Sequence, residues 1–118
     1  MKMFALYAAL AVVALALTPA LISILAPRVR GRKLLVKALR RNGVDTTVFP
    51  AKFLEECVSE AYDFAKAAAK NSDKPWKRIY NDVLMRDVII IKAILKDPSS
   101  ADMNPAMRDR LIRFGIIY

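Results

Sequence analysis

Seven basic residues, Arg28, Arg30, Arg32, Lys33, Lys37, Arg40 and Arg41, fall in a stretch that contains no acidic residue. The chemistry open to such a cluster is anion binding. Near an anionic membrane surface each Lys or Arg contributes about 1 kcal/mol. The chain's net charge of +9 is concentrated here. From residue 42 to residue 118 twelve Lys or Arg face eleven Asp or Glu, so the positive excess is local and not a property of the whole chain. No aromatic residue that would stack on a base lies between Arg28 and Arg41. That, with the near-neutral remainder, weighs against a nucleic-acid partner. The cluster then either sets membrane topology alone or also binds anionic lipid headgroups.

Catalytic chemistry has little to work with. The chain has no histidine and one cysteine, Cys57, which excludes a disulfide framework, a Cys/His zinc site and any imidazole-dependent triad within the chain. Nothing beside Cys57 in sequence would lower its pKa, so it reads as a small buried hydrophobe. Glu56, Glu60 and Asp63 form an acidic row at helical spacing that can pair with the basic segment, meet a partner or stay solvated. Without a histidine at matching spacing the row is no carboxylate metal site. Gly31, Gly43 and Gly115 are the only glycines, so no phosphate-binding loop is present. The expectation is a non-enzyme with no cofactor and no metal.

Two apolar features point to protein partners. Val88-Ile89-Ile90-Ile91 is apolar all round, so it is buried between several helices or turns one side to a partner, with a β-strand as the alternative. Ile89 and Ile90 are the candidate contacts there. The sequence Ile116-Ile117-Tyr118 is a second apolar candidate, tucked into its own core or presented to a partner or the membrane interface.

Positioning these groups requires an anchor and a helical domain. Residues 3 to 27 carry no charge. As a helix at 1.5 Å per residue they reach roughly 37 Å, enough to cross a hydrocarbon core of about 30 Å. A cleaved signal peptide with Thr18-Pro19-Ala20 as its processing motif is the rival reading. It would leave an apolar new terminus followed by seven basic residues that resist export. Within the span Ala5, Ala9, Ala16 and Ala20 can share a face for helix–helix packing. One Lys before the span and seven basic residues after it place the N-terminus outside and the remainder in the cytoplasm, at the cell (inner) membrane.

The expected organisation is a transmembrane anchor over 1–27, a basic amphipathic juxtamembrane helix over 28–42 and a small helical domain over 43–118. Leu34, Leu35, Ala38 and Leu39 mark the apolar side of the juxtamembrane helix, and Asn42-Gly43 stops it. A helix starting at Pro50 carries the stripe Leu54, Cys57, Val58, Ala61, Ala65 and Ala68. Another, capped by Ser72 or Asp73, runs with core spacing from Trp76 to Leu95 and ends at Asp97-Pro98. After a loop over Ser99–Asp102, Asn104-Pro105 starts a last helix, with Met107, Leu111 and Phe114 inward and Arg108, Arg110 and Arg113 outward. Gly115 closes it. The fold class is therefore all-α, one transmembrane helix followed by a bundle of about three to four helices.

The function that fits is an accessory, structural or assembly subunit of a membrane-associated complex, bound to membrane lipids and to other subunits or to further copies of itself. Two alternatives belong to other classes. One is a membrane-penetrating or channel-lining component of a virion or secretion device, and the other a membrane-tethered nucleic-acid binder.

Overall fold

The computed structural model describes residues 26–118, and all of its regular elements are helical. Helix α1 covers residues 26–41, α2 Ala51–Ala69, α3 Trp76–Lys96 and α4 Pro105–Arg113, with short 3₁₀ turns at Thr46–Val48 and Pro98–Met103. Among the described residues no helix is long and apolar enough to cross a membrane. All but the last two residues of the expected anchor, with Ala5, Ala9, Ala16 and Ala20, lie outside the described residues.

Local chemistry sets the helix ends. At the end of α1, Gly43 takes φ +76° while its N–H donates to Arg40 O at 3.0 Å and the Val44 N–H donates to Leu39 O at 3.0 Å. The end of α4 repeats this pattern: Gly115 has φ +71°, its N–H reaches Ile112 O at 3.0 Å and the Ile116 N–H reaches Leu111 O at 2.9 Å. A left-handed residue satisfies the last carbonyls and turns the next apolar side chain back onto the helix, and only glycine adopts it freely. Val44 and Ile116 accordingly pack against the core. Asp97 ends α3 ahead of Pro98, and its carboxylate accepts from the Ser99 N–H at 3.1 Å, so a 3₁₀ turn replaces the loop expected over Ser99–Asp102. At the start of α3 the cap position is Pro75; Ser72 instead accepts from the Lys74 N–H at 3.1 Å within the preceding turn.

One core joins all four helices. Leu35 and Leu39 of α1, Phe53, Cys57 and Ala65 of α2, Leu84, Ile91 and Ile94 of α3 and Leu111 of α4 are fully buried. The basic helix α1 and the helices after it thus share a single apolar interior, in which α2 packs on α3. Phe49, held between the first 3₁₀ turn and α2, stacks on Phe53 at 5.2 Å, and Phe114 meets Phe53 edge-on at 5.7 Å. Such pairs add about 1 kcal/mol beyond their buried area.

Two buried polar residues depart from the apolar stripes. Arg110, expected to face outward, is 6 % exposed, and Asp87, on the inner face of α3, is 9 % exposed. The outward placement of Arg110 is thereby corrected. Carboxylates on α2 supply what a buried guanidinium needs, as described below.

Candidate functional site

Because α1 turns Leu35, Ala38 and Leu39 inward, its cationic residues are forced to the opposite side. Arg30, Lys33, Lys37, Arg40 and Arg41 are exposed. At 100° per residue they fall within an arc of about 100°. An open groove of about 740 Å³ runs along this face, lined by Val29 and Val36 together with Arg32, Lys33, Lys37, Arg40 and Arg41. Val29 is 53 % exposed, so the face combines charge with apolar contact. The other two residues of the basic cluster meet side chains of α2, Arg32 at the surface and Arg28 half-buried. Arg32 approaches Glu55 of α2 at 3.6 Å, and Arg28 lays its guanidinium over the Tyr62 ring, 5.5 Å from the centroid. Arg40 Nε also donates to Thr46 Oγ1 at 3.0 Å, which steadies the far end of the face.

The start of α1 meets an aromatic corner. The Tyr80 hydroxyl donates to Pro27 O at 2.8 Å, and a Cβ at Gly31 would overlap that hydroxyl, so glycine is what lets α1 approach α3. Burial pushes the Tyr80 phenol up to about 12. Tyr62, Trp76 and Tyr80 form a mutual cluster with centroids 5.4 to 6.1 Å apart. Lys66 Nζ lies 4.1 Å from the Trp76 centroid, and Lys77 Nζ lies 5.9 Å from it on the chain's next position. Nothing in the sequence periodicity singled out this corner, since its members come from three helices.

The acidic row finds partners on α4, not on the basic helix. Arg110 Nε donates to Glu56 Oε1 at 3.2 Å, its terminal nitrogens contact Glu60 and, at 3.5 Å, Cys57 Sγ, and Arg113 also bridges to Glu56. Burial pushes the Glu56 carboxyl up, but hydrogen bonds from Arg113 and Arg110 outweigh it and hold the group below its usual range. Asp63 is exposed. The Cys57 thiol is pushed up to about 11 by burial, against the opposing charge of Arg110, and so remains a protonated core group. Among the described residues no group of three or more His, Cys, Asp or Glu is placed to hold a metal ion.

Of the apolar candidates, Ile89 is 66 % exposed while Ile90 packs partly against the core. Ile116 and Ile117 are likewise partly buried on the core, and Tyr118 is fully exposed. The apolar surface at these sites is narrower than the sequence suggests. Phe64, at 52 % exposure, and Met103, at 83 %, are exposed apolar side chains that the helical stripes did not single out. No family model, no curated protein and no solved structure matches this chain.

Proposed function

We infer that this chain is a membrane-tethered accessory or assembly subunit whose helical domain, held on the cytoplasmic side, acts by contact with lipid and with other subunits and not by catalysis. One observation carries the reading. Helix α1, which begins at residue 26 where the uncharged stretch 3–27 ends, buries Leu35 and Leu39 in the domain and keeps its basic face outside. With α1 packed into the core, no loose linker separates the domain from residue 26, and a face of Arg30, Lys33, Lys37, Arg40 and Arg41 suits anionic headgroups at the bilayer. A protonated, buried Cys57 and carboxylates committed to Arg110 and Arg113 favour the non-catalytic reading.

Carbonate extraction and protease protection of the full chain in its native membrane test this. The chain is expected in the membrane pellet after carbonate, with residues 42–118 protected in right-side-out vesicles. Release by carbonate, or digestion of that region from outside, overturns the reading.

A further inference from the structure

We propose that the corner where α2 meets α3 is a second lipid-binding surface, a platform of Trp76 and lysines that rests on anionic headgroups beside the tether. It rests on the membrane-tethered reading above. The position comes from the packing. Tyr80 donates to Pro27 O at 2.8 Å, and Tyr80 and Tyr62 both contact Trp76, so Trp76 sits beside the residue at which the uncharged segment ends. Lys37 is about 15 Å farther along α1 and Arg41 about 21 Å. Whatever the tilt of α1, this corner is closer to the attachment point than the far half of the basic face.

Its composition fits a headgroup layer. From Lys66 to Arg78 the chain carries Lys66, Lys70, Lys74, Lys77 and Arg78 against the single acid Asp73. Lys70 and Lys74 are exposed in the connection between α2 and α3, and among the described residues neither lies within 4 Å of a carboxylate. Trp76 is half-buried, with lysine ammonium groups against its ring. A rigid amphipathic ring surrounded by long cationic side chains, whose stems lie on apolar surface while their heads reach phosphate, is the arrangement the interface favours. Arg28 adds a guanidinium at the same corner, its Nε buried without a hydrogen-bond partner among the described residues.

Trp76 is the only tryptophan, so its emission reports on this surface alone. The full chain is reconstituted in vesicles of phosphatidylcholine, or of phosphatidylcholine and phosphatidylglycerol in equal parts, each carrying a nitroxide-labelled headgroup lipid as quencher. Stronger quenching of Trp76 in the anionic vesicles, declining as salt rises, is the expected result. Lys70→Gln with Lys74→Gln should lower the docked-to-undocked ratio about thirty-fold, and Asp73→Asn should raise it about five-fold, at unchanged helicity. Equal quenching in both vesicles, unmoved by these substitutions, in a chain that resists carbonate, overturns the platform and leaves the tether standing. Release of the chain by carbonate overturns the tether and the platform together.

Discussion

Asp87→Asn should stabilise this protein at neutral pH. Asp87 projects from the inner face of α3, 9 % exposed, beside an opening of about 320 Å³ that Glu60 of α2, Arg86 of α3 and Arg110 of α4 also line. Arg110, which shares this opening, does not neutralise it, because its guanidinium is held by Glu56 and Glu60. Burial therefore dominates and pushes the Asp87 carboxyl up to about 6 from 3.8, with the charge of Arg86 opposing. An acid whose pKa is raised on folding holds its proton more tightly in the native state. Stability is thus greatest below the unfolded value, falls as pH rises through the folded one and levels off above it. At about 1.4 kcal/mol for each tenfold change, the difference comes to about 3 kcal/mol lost by neutral pH. The amide keeps the shape and cannot ionise. Urea unfolding of the full chain in detergent, followed by circular dichroism across this pH range, should show the variant more stable by up to about 3 kcal/mol at neutral pH. The two proteins should converge below about pH 4. A variant less stable than the parent at neutral pH would mean that the carboxylate is held by a cation in the fold, and the burial argument would fail.

Three further perturbations probe the contacts between helices. Arg110→Ala should destabilise by about 1–3 kcal/mol, less than the loss of a fully buried ion pair because Glu60 can return to water and Arg113 still pairs with Glu56, whereas Arg110→Met should recover most of the loss; thermal melts of the two variants check this. Gly31→Ala should cost about 1–3 kcal/mol by forcing α1 off Tyr80, and in combination with Tyr80→Phe the loss should be less than additive, as a double-mutant cycle would measure. Cys57 should resist alkylation by iodoacetamide in the folded chain and react on addition of denaturant, since its thiol is buried and raised to about 11.

Much of this architecture is written in local signals. The three-and-four spacing of Leu54, Cys57, Val58, Ala61 and Ala65, and of Tyr80, Leu84, Val88, Ile91 and Ile94, marks the faces that are buried, because a helix of 3.6 residues per turn aligns them whatever surrounds it. Gly43 and Gly115 end their helices as their neighbours predict, since the left-handed conformation is a property of one residue. The uncharged residues 3–27 and the basic cluster after them are equally plain from composition. Periodicity says which face of a helix is covered but not what covers it. The docking of Leu35 and Leu39 into the domain was decided by an apolar face offered by α2, α3 and α4. Arg110 illustrates the same limit. A guanidinium alone belongs in water, and only the arrival of Glu56, Glu60 and Cys57, fifty or more positions away in the chain, makes its burial affordable. Tyr62, Lys66 and Trp76 are each unremarkable on their own helices and meet only because α2 packs on α3, and Pro27 joins them because Gly31 leaves α1 room to close on Tyr80. The sequence by itself marked the four helices of residues 26–118, most of their ends and most of their apolar faces, all short-range properties, while the pairing of faces, and with it the burial of Arg110 and the cap of α3 at Pro75, was left to the tertiary structure.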